Sequence, residues 1–169
     1  MLEDGEIILR SLADGDQIPM ARLADNKNIW DNLRDYFPRP YSETNAEYFI
    51  SQNKDQHPLM IFAIEYNGKF CGVISLIQQT DVHKNSAELG YWLGEPFWNK
   101  GIVTKAVKLI TDYGLNRLNF IRIYAGVFEY NIASMKVLEK NGYKKEGVSE
   151  RHIFKNGKIL DEHRYYILK

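Results

Sequence analysis

The stretch E-L-G-Y-W-L-G-E-P-F-W-N-K-G-I-V-T-K, residues 88–105, determines how the chain is organised. Its first half alternates small or polar residues with apolar ones and is rich in aromatic side chains, which is typical of a pleated strand. Gly94 can adopt a turn conformation and Pro96 cannot donate to a strand ladder, so the strand ends there. From Ile102 the apolar residues recur at helical spacing, which predicts a helix over Gly101–Asn116. The stretch is therefore a strand, a tight loop and a helix.

The loop from Trp98 to Gly101 brings free backbone N–H groups and a helix N-terminus to one point. Such a point binds anions, and phosphate matches it best. A loop with one glycine also occurs at ordinary strand–helix joints, so the six-residue loop alone is weak evidence for a ligand.

Length and composition restrict the class of protein. At 169 residues, 44% of them hydrophobic, the chain predicts a single domain over residues 1–169 with a substantial core. With 22 basic and 22 acidic residues the formal net charge is zero, which argues against nucleic acid and anionic membranes as partners. The single cysteine, Cys71, fits a reducing compartment. No signal peptide or membrane span is recognisable, so a cytoplasmic location is expected.

The remaining elements follow from alternation, helical periodicity and turn residues. The predicted strands outside the quoted stretch are Ile7–Leu12, Leu59–Glu65, Lys69–Gln79, Phe120–Phe128, Tyr143–Phe154 and Glu162–Leu168, and the central strand is Ser86–Leu93. The other predicted helices start near Asp14–Asp16, at Ile29, after a Ser42 N-cap and at Asn131, the last running to Lys140. A strand, a long helix and a returning strand predict a right-handed crossover with parallel strands.

Residues 98–103, W-N-K-G-I-V, resemble the acyl-CoA loop of the GCN5-related N-acetyltransferases, whose pattern is Gln/Arg-x-x-Gly-x-Gly/Ala. Trp98 and Val103 depart from that pattern. The longer string of residues 90–106 is similar to the ribosomal-protein alanine acetyltransferase (RimJ/RimL-like) branch. Together with N-I-A-S at residues 131–134, the resemblance extends over nearly the whole chain and is weakest before residue 40.

The resemblance implies an α/β (α+β) fold of the GNAT type, with a mixed, mostly antiparallel sheet splayed at its centre and helices on both faces. It also implies that acetyl-CoA is the cosubstrate, with its pantetheine arm along the edge of the central strand at Leu93. The residues that would surround the diphosphate are Trp98, Asn99, Lys100, Gly101, Ile102, Val103 and Thr104. Lys105 could add charge there or could simply lie on a solvated face.

Glu88 is the first candidate for acid–base chemistry, because the family often places a glutamate at this point of the central strand. A carboxylate there could take the proton of an amine directly or through a water. The alternative is a structural glutamate that pairs with a nearby arginine or backbone N–H.

Asn131 and Ser134 form the second candidate group, and they resemble the Asn-x-x-Ser of the family. Asn131 would bind the pantetheine arm, and Ser134 could donate a hydrogen bond to the departing thiolate. Asn131 is equally a favoured N-cap, and the two roles are compatible. Tyr143 and Tyr124 are further candidates for the general acid.

The function predicted from the resemblance is acetyl transfer from acetyl-CoA to a primary amine by direct attack in a ternary complex. The acceptor suggested by the RimJ/RimL-like branch is a protein N-terminal α-amine. The alternatives are a small-molecule amine acetyltransferase and a non-catalytic CoA-binding module. The four histidines lack metal-ligand spacing, so no metal is expected. The sequence leaves the oligomeric state, including a homodimer, open.

Overall fold

An eight-stranded sheet forms the centre of the computed structural model, which describes residues 1–169. The strand order across the sheet is β1-β2-β3-β4-β5-β6-β8-β7. The strands are β1 Leu2–Asp4, β2 Ile7–Arg10, β3 Ile61–Tyr66, β4 Lys69–Gln78, β5 Ser86–Leu93, β6 Arg122–Phe128, β7 Lys144–Lys155 and β8 Lys158–Leu168. All neighbours are antiparallel except β5 and β6, which confirms the predicted mixed, mostly antiparallel sheet and its parallel crossover.

Helices cover both faces of the sheet, as predicted. They are α1 Gln17–Ala24, α2 Lys27–Trp30, α3 Glu43–Asn53, α4 Ile102–Asn116 and α5 Ile132–Lys140. Val73 and Ile74 are adjacent in β4, so their side chains point to opposite faces. Ile74 belongs to the core cluster that contains the buried stripe of α4, and Val73 belongs to the cluster that contains α1 and α3.

The sheet splits at its centre. β5 and β6 pair through only three residue pairs, of which Glu88 and Tyr124 are the last. Beyond that pair, β5 continues to Leu93 and β6 continues to Phe128 without pairing to each other. The split confirms the splayed sheet that the resemblance implied, and it leaves backbone groups of both strands facing a gap.

Helix α4 covers the face of the sheet opposite α1 and α3, and one apolar stripe of the helix packs on the strands. Ile102, Ala106, Val107 and Ile110 are buried in that interface. A Cβ atom added at Gly114 would lie 2.7 Å from side-chain atoms of both Leu76 and Ile123, so the glycine permits the close approach of helix and sheet.

The first strand and several element ends differ from the prediction. β1 was not predicted, because three residues with one buried side chain carry no readable alternation. β8 begins at Lys158 rather than Glu162, since the tight Asn156-Gly157 turn allows pairing to start at once. Ile121 lies outside β6 and is exposed, whereas the pattern predicted a strand from Phe120.

The region before β3, which contains α1 and α3, covers the face of the sheet opposite α4. Ser42 caps α3 as predicted, and with Asn45 it forms a reciprocal capping box. Residues 31–41 between α2 and α3 contain no helix or strand. None of the helices has the length and apolar character that a membrane crossing requires.

Candidate active site

A cavity of about 870 Å³ opens where the sheet splits. Its walls come from the segment around α2, the far half of β5, the loop before α4, the end of β6 and the first turns of α5. The residues predicted to bind the cofactor, together with Glu88 and Ser134, line this cavity: Glu88, Leu93, Trp98, Asn99, Lys100, Gly101, Ile102, Val103, Thr104, Asn131 and Ser134. The fold therefore brings the predicted residues together in one place.

The edge of β5 offers backbone groups to the cavity. Gln79 N–H donates to the Ser86 carbonyl at 2.9 Å and Gly94 N–H donates to the Cys71 carbonyl at 2.8 Å, so alternate residues of β5 bond to β4. By the alternation of an antiparallel ladder, Leu89, Tyr91 and Leu93 direct their backbone groups into the gap. The Leu93 carbonyl already accepts a 2.7 Å hydrogen bond from Trp98 Nε1, which anchors the loop to the strand.

The N-terminus of α4 is open toward the same cavity. Gly101 is the N-cap residue with φ +74°, and no side chain caps the first turn. The first N–H groups of a helix have no partner within the helix, so those of α4 are available to a ligand. A Cβ atom at Gly101 would touch nothing within 4 Å, and the positive φ alone therefore favours glycine there.

Two hydroxyl groups meet at the start of α5. Asn131 Oδ1 accepts a 3.2 Å hydrogen bond from Ser134 N–H, so Asn131 caps α5 as predicted. Ser134 Oγ lies 2.7 Å from the hydroxyl oxygen of Tyr91. Burial raises the pKa of Tyr91 to about 12, against the opposing effect of this hydrogen bond, so its hydroxyl stays protonated near neutral pH. The sequence reasoning missed Tyr91, although the alternation of β5 puts it on the same face as Leu89 and Leu93.

Charge is distributed unevenly along the cavity. Three lysines line the cavity, Lys100 in the loop before α4 and Lys136 and Lys140 in α5. Lys140 is the last residue of α5, and the next residue, Asn141, donates from Nδ2 to the Thr104 carbonyl in the first turn of α4. Lys100 Nζ donates to the Pro96 carbonyl at 2.9 Å and so is tied back to its own loop. Lys105 does not line the cavity and lies 3.7 Å from Asp4. The basic end is therefore built by the helix termini and the α5 lysines, which the sequence reasoning did not name.

Glu88 lies at the start of the free β5 edge, whereas the loop to α4 follows the other end of that strand. Its side chain is 17% exposed and forms an ion pair with Arg34, which lies between α2 and α3. The pKa of the neighbouring Tyr124 is raised, first by burial and then by the charge of Glu88. Arg34 precedes Glu88 by 54 residues in a stretch without regular structure, so no local pattern could have identified it.

Glu162 is a second carboxylate in the cavity wall, and it forms no ion pair or hydrogen bond. It lies against the backbone of β6, because a Cβ atom at Gly126 would come within 2.5 Å of Glu162 Oε1. A glycine inside a strand can signal such a close approach, so Gly126 was the available sequence clue.

The other candidates from the sequence lie outside the cavity lining. Tyr143 is buried, its hydroxyl oxygen lies 2.8 Å from Thr111 Oγ1, and burial raises its pKa. Cys71 is fully buried and donates from Sγ to the Ile64 carbonyl at 3.2 Å. No group of three or more His, Cys, Asp or Glu residues is arranged to hold a metal ion.

The family model and the similar proteins that match this chain all indicate the same family of acetyltransferases. Residues 6–144 match the family model described as an acetyltransferase (GNAT) domain. The probable N-acetyltransferase YjcK of Bacillus subtilis (strain 168) is 38% identical over 119 residues, which cover 70% of this chain and 65% of YjcK. The chain thus aligns with just under two thirds of that relative.

Two solved structures show the same architecture. The spermidine N-acetyltransferase of Vibrio cholerae, in complex with CoA and spermine, superposes with a TM-score of 0.80 at 27% identity, covering 98% of this chain and 96% of the other. The ribosomal L7/L12 alpha-N-protein acetyltransferase RimL, in complex with CoA, superposes with a TM-score of 0.85 at 20% identity, covering 98% and 95%. At the lower identity the similarity concerns the fold alone.

Proposed function

Because the chain belongs to the GNAT acetyltransferase family, we propose that it transfers an acetyl group from acetyl-CoA to a primary amine by direct attack in a ternary complex. The observation that carries the proposal is the split in the sheet, which opens one cavity with the open N-terminus of α4 and three lysines at one end and the carboxylate of Glu88, paired with Arg34, at the other. A polyanionic acetyl donor and a cationic acceptor would occupy opposite ends of such a cavity.

The basic end fits acetyl-CoA. The uncapped first turn of α4 offers N–H groups to the diphosphate, and the fixed dipole of the helix favours the negative charge. The free edge of β5 at Leu89 and Tyr91 would pair with the amide groups of the pantetheine arm, as an added strand would. Asn131 stands where the arm would pass from that edge to α5.

Glu88 is the proposed general base. It would take a proton from the acceptor ammonium, directly or through a water, and the resulting neutral amine would attack the thioester carbon. A C–N bond forms and the C–S bond breaks, so negative charge develops on the departing sulfur. Ser134, supported by the Tyr91 hydroxyl, would donate a hydrogen bond to that sulfur. The second proton, which the attacking nitrogen loses as the amide forms, would reach the sulfur through the Ser134 hydroxyl, which passes on one proton as it accepts the other.

For the acceptor we propose a protein N-terminal α-amine. Ile77, which lies opposite Glu88 in the β4–β5 ladder, and Tyr36 both line the cavity, yet they are 43% and 76% exposed. Large exposed apolar side chains at a cavity mouth suit the residues that follow an N-terminal amine better than they suit a small hydrophilic ion.

A small polyamine is the second candidate acceptor. The unpaired carboxylate of Glu162 favours it, because a second cationic group of the acceptor could bind there while the first lies at Glu88. The similarity to the spermidine N-acetyltransferase, at 27% identity over nearly the full chain, supports the same reading.

A thiol-release assay with acetyl-CoA separates these functions. The acceptors compared are short peptides with free N-termini, the same peptides N-acetylated, and linear diamines and polyamines. Turnover with free but not acetylated peptides supports the first acceptor, and turnover confined to polyamines replaces it with the second. Saturable acetyl-CoA binding without thiol release for any amine would contradict the enzyme proposal and indicate a binding module.

A further inference from the structure

Lys155, at the end of β7, is an unusual lysine because its side chain is only 2% exposed. Its Nζ donates to Asp35 Oδ1 at 2.7 Å and lies 3.3 Å from the centroid of the Trp30 ring. An ammonium is expensive to bury unless it is paired, so a side chain placed in this way indicates a specific contact between the β7–β8 hairpin and the region of α2.

Two further hydrogen bonds are made to the same segment, residues 31–35. Asn156 Nδ2 donates to Asp31 Oδ1 at 2.9 Å, and the Tyr130 hydroxyl donates to the Asp31 carbonyl. The three partners lie 99 to 125 residues further along the chain, yet they converge on Asp31 and Asp35. Residues from the far end of the fold therefore hold a segment that has no helix or strand of its own.

The segment from Asp31 to Asp35 carries Arg34, which lines the cavity and forms an ion pair with Glu88. Arg34 itself is half exposed, so its position depends on how firmly the surrounding backbone is held. If residues 31–35 are already ordered before the acceptor binds, binding does not lose the conformational entropy of ordering them.

We propose that Lys155 and Asn156, at the tip of the β7–β8 hairpin, are positioning residues for the acceptor end of the cavity. They hold residues 31–35 so that Arg34 pairs with Glu88, and through that segment they govern acceptor binding without contacting the acceptor. The effect on acceptor binding rests on the proposed function. The contacts between the hairpin tip and residues 31–35 do not depend on it.

The test replaces Lys155 by methionine, which keeps the apolar stem and removes the ammonium. The matched control is Lys158→Met, because Lys158 is exposed and pairs with Lys155 across the same hairpin. The first readout is the rate of tryptic cleavage after Arg34, which needs no activity. We expect it to rise about tenfold in Lys155→Met, corresponding to a tenfold change in segment opening, and to stay at the wild-type rate in Lys158→Met.

The second readout is steady-state kinetics with a turned-over amine. Lys155→Met should raise the acceptor KM several-fold while the acetyl-CoA affinity and kcat stay close to wild type. Asp35→Asn, which removes the exposed partner, should reproduce both effects, and the double variant should be no worse than either single one.

Three outcomes decide the matter. Unchanged cleavage after Arg34 in both Lys155→Met and Asp35→Asn would overturn the proposal. Equal acceleration at tryptic sites throughout the chain would also overturn it, since the lysine would then serve general stability. Faster cleavage after Arg34 with no amine acetylated would support the hairpin contact and contradict the proposed function instead.

Discussion

Glu88, which forms an ion pair with Arg34 in the cavity wall, carries the first prediction at the scale of single residues. As the proposed base, Glu88 acts in the transition state, so Glu88→Gln should lower turnover near neutral pH by about 100-fold or more. The acetyl-CoA affinity should hold, because the basic end is untouched. Stopped assays together with calorimetric titration of acetyl-CoA measure both.

Glu162→Gln serves as the comparison for Glu88→Gln, since it removes the other carboxylate of the cavity. It should spare turnover of peptide acceptors. Normal turnover and a lowered melting temperature in Glu88→Gln would show that the Arg34 ion pair is structural, which is the alternative that the sequence left open.

Ser134 is the second residue whose removal discriminates between roles. If its hydroxyl stabilises the leaving thiolate, Ser134→Ala should cut kcat by about 100-fold, the typical effect of losing one such donor. Stability should change little, because alanine is the better helix former. Full turnover with a shifted melting temperature would leave the serine only a helix-start role. Tyr91→Phe tests its 2.7 Å partner, and Asn131→Ala gives a cofactor-binding comparison.

Two of the predicted site residues are fixed by local structure, whereas Glu88, Leu93 and Ser134 came from the family resemblance. Gly101 follows from a loop-to-helix joint and Asn131 from an N-cap, so both are readable within a few residues. Arg34 and the Tyr91 hydroxyl make their contacts in the cavity over 54 and 43 residues of chain, and Glu162 lies against Gly126 of another strand. The alternation of β5 gives the face of Tyr91 but not its partner, and Arg34 lies in a stretch without regular structure, so neither contact could be predicted from a local pattern.

At the scale of elements, the N-terminus of α4 makes a prediction about ligand binding. Gly101→Asp would put a negative charge at the open first turn and force a φ of +74° on a residue with a Cβ. We expect acetyl-CoA to bind at least about tenfold more weakly, equivalent to roughly 1.4 kcal/mol. Gly101→Ala isolates the backbone strain, and the difference between the variants reports the charge. Unchanged acetyl-CoA affinity in folded Gly101→Asp would exclude the diphosphate from this turn.

The elements themselves were predictable where one periodicity ran long enough. β5 came out with its observed ends, and α4 differs from its prediction only at Gly101, which is its cap. The short β1 and the true start of β8 were missed, because their pairing is decided by a turn and a neighbouring strand rather than by their own alternation. The splay of the sheet came from the resemblance, since no residue pattern states where two parallel strands stop pairing.

For the whole molecule, the buried thiol predicts how stability depends on pH. Burial, followed by the charge of Glu65, raises the pKa of Cys71 from 9.0 to about 12. Between pH 9 and 10 the unfolded chain therefore loses this proton while the folded chain keeps it. The free energy of unfolding should fall as pH rises, by up to about 1.4 kcal/mol per pH unit from this group.

Cys71→Ala removes that contribution. It should be less stable at pH 8 because of the lost packing, but its free energy of unfolding should fall less between pH 9 and 10 than that of the wild type. Denaturant titrations at pH 8, 9 and 10 measure both slopes. Below pH 10 the buried Tyr41 and Tyr91 contribute little, because their unfolded pKa is near 10 and their folded pKa about 12. Parallel pH profiles of variant and wild type would contradict the assignment.

The strand order has a consequence for synthesis. From β1 to β6 the spatial order of the strands follows the chain order, so each strand that leaves the ribosome finds its neighbour already made. The hairpin tip at Lys155 and Asn156 is translated some 120 residues after the Asp31–Asp35 segment that it holds. A nascent chain that stops before β7 therefore has the β5 edge and the open first turn of α4. It lacks the contacts of Lys155 and Asn156 with the Asp31–Asp35 segment. If the hairpin positions the acceptor end as proposed, that end is complete only after Lys155 and Asn156 have been translated.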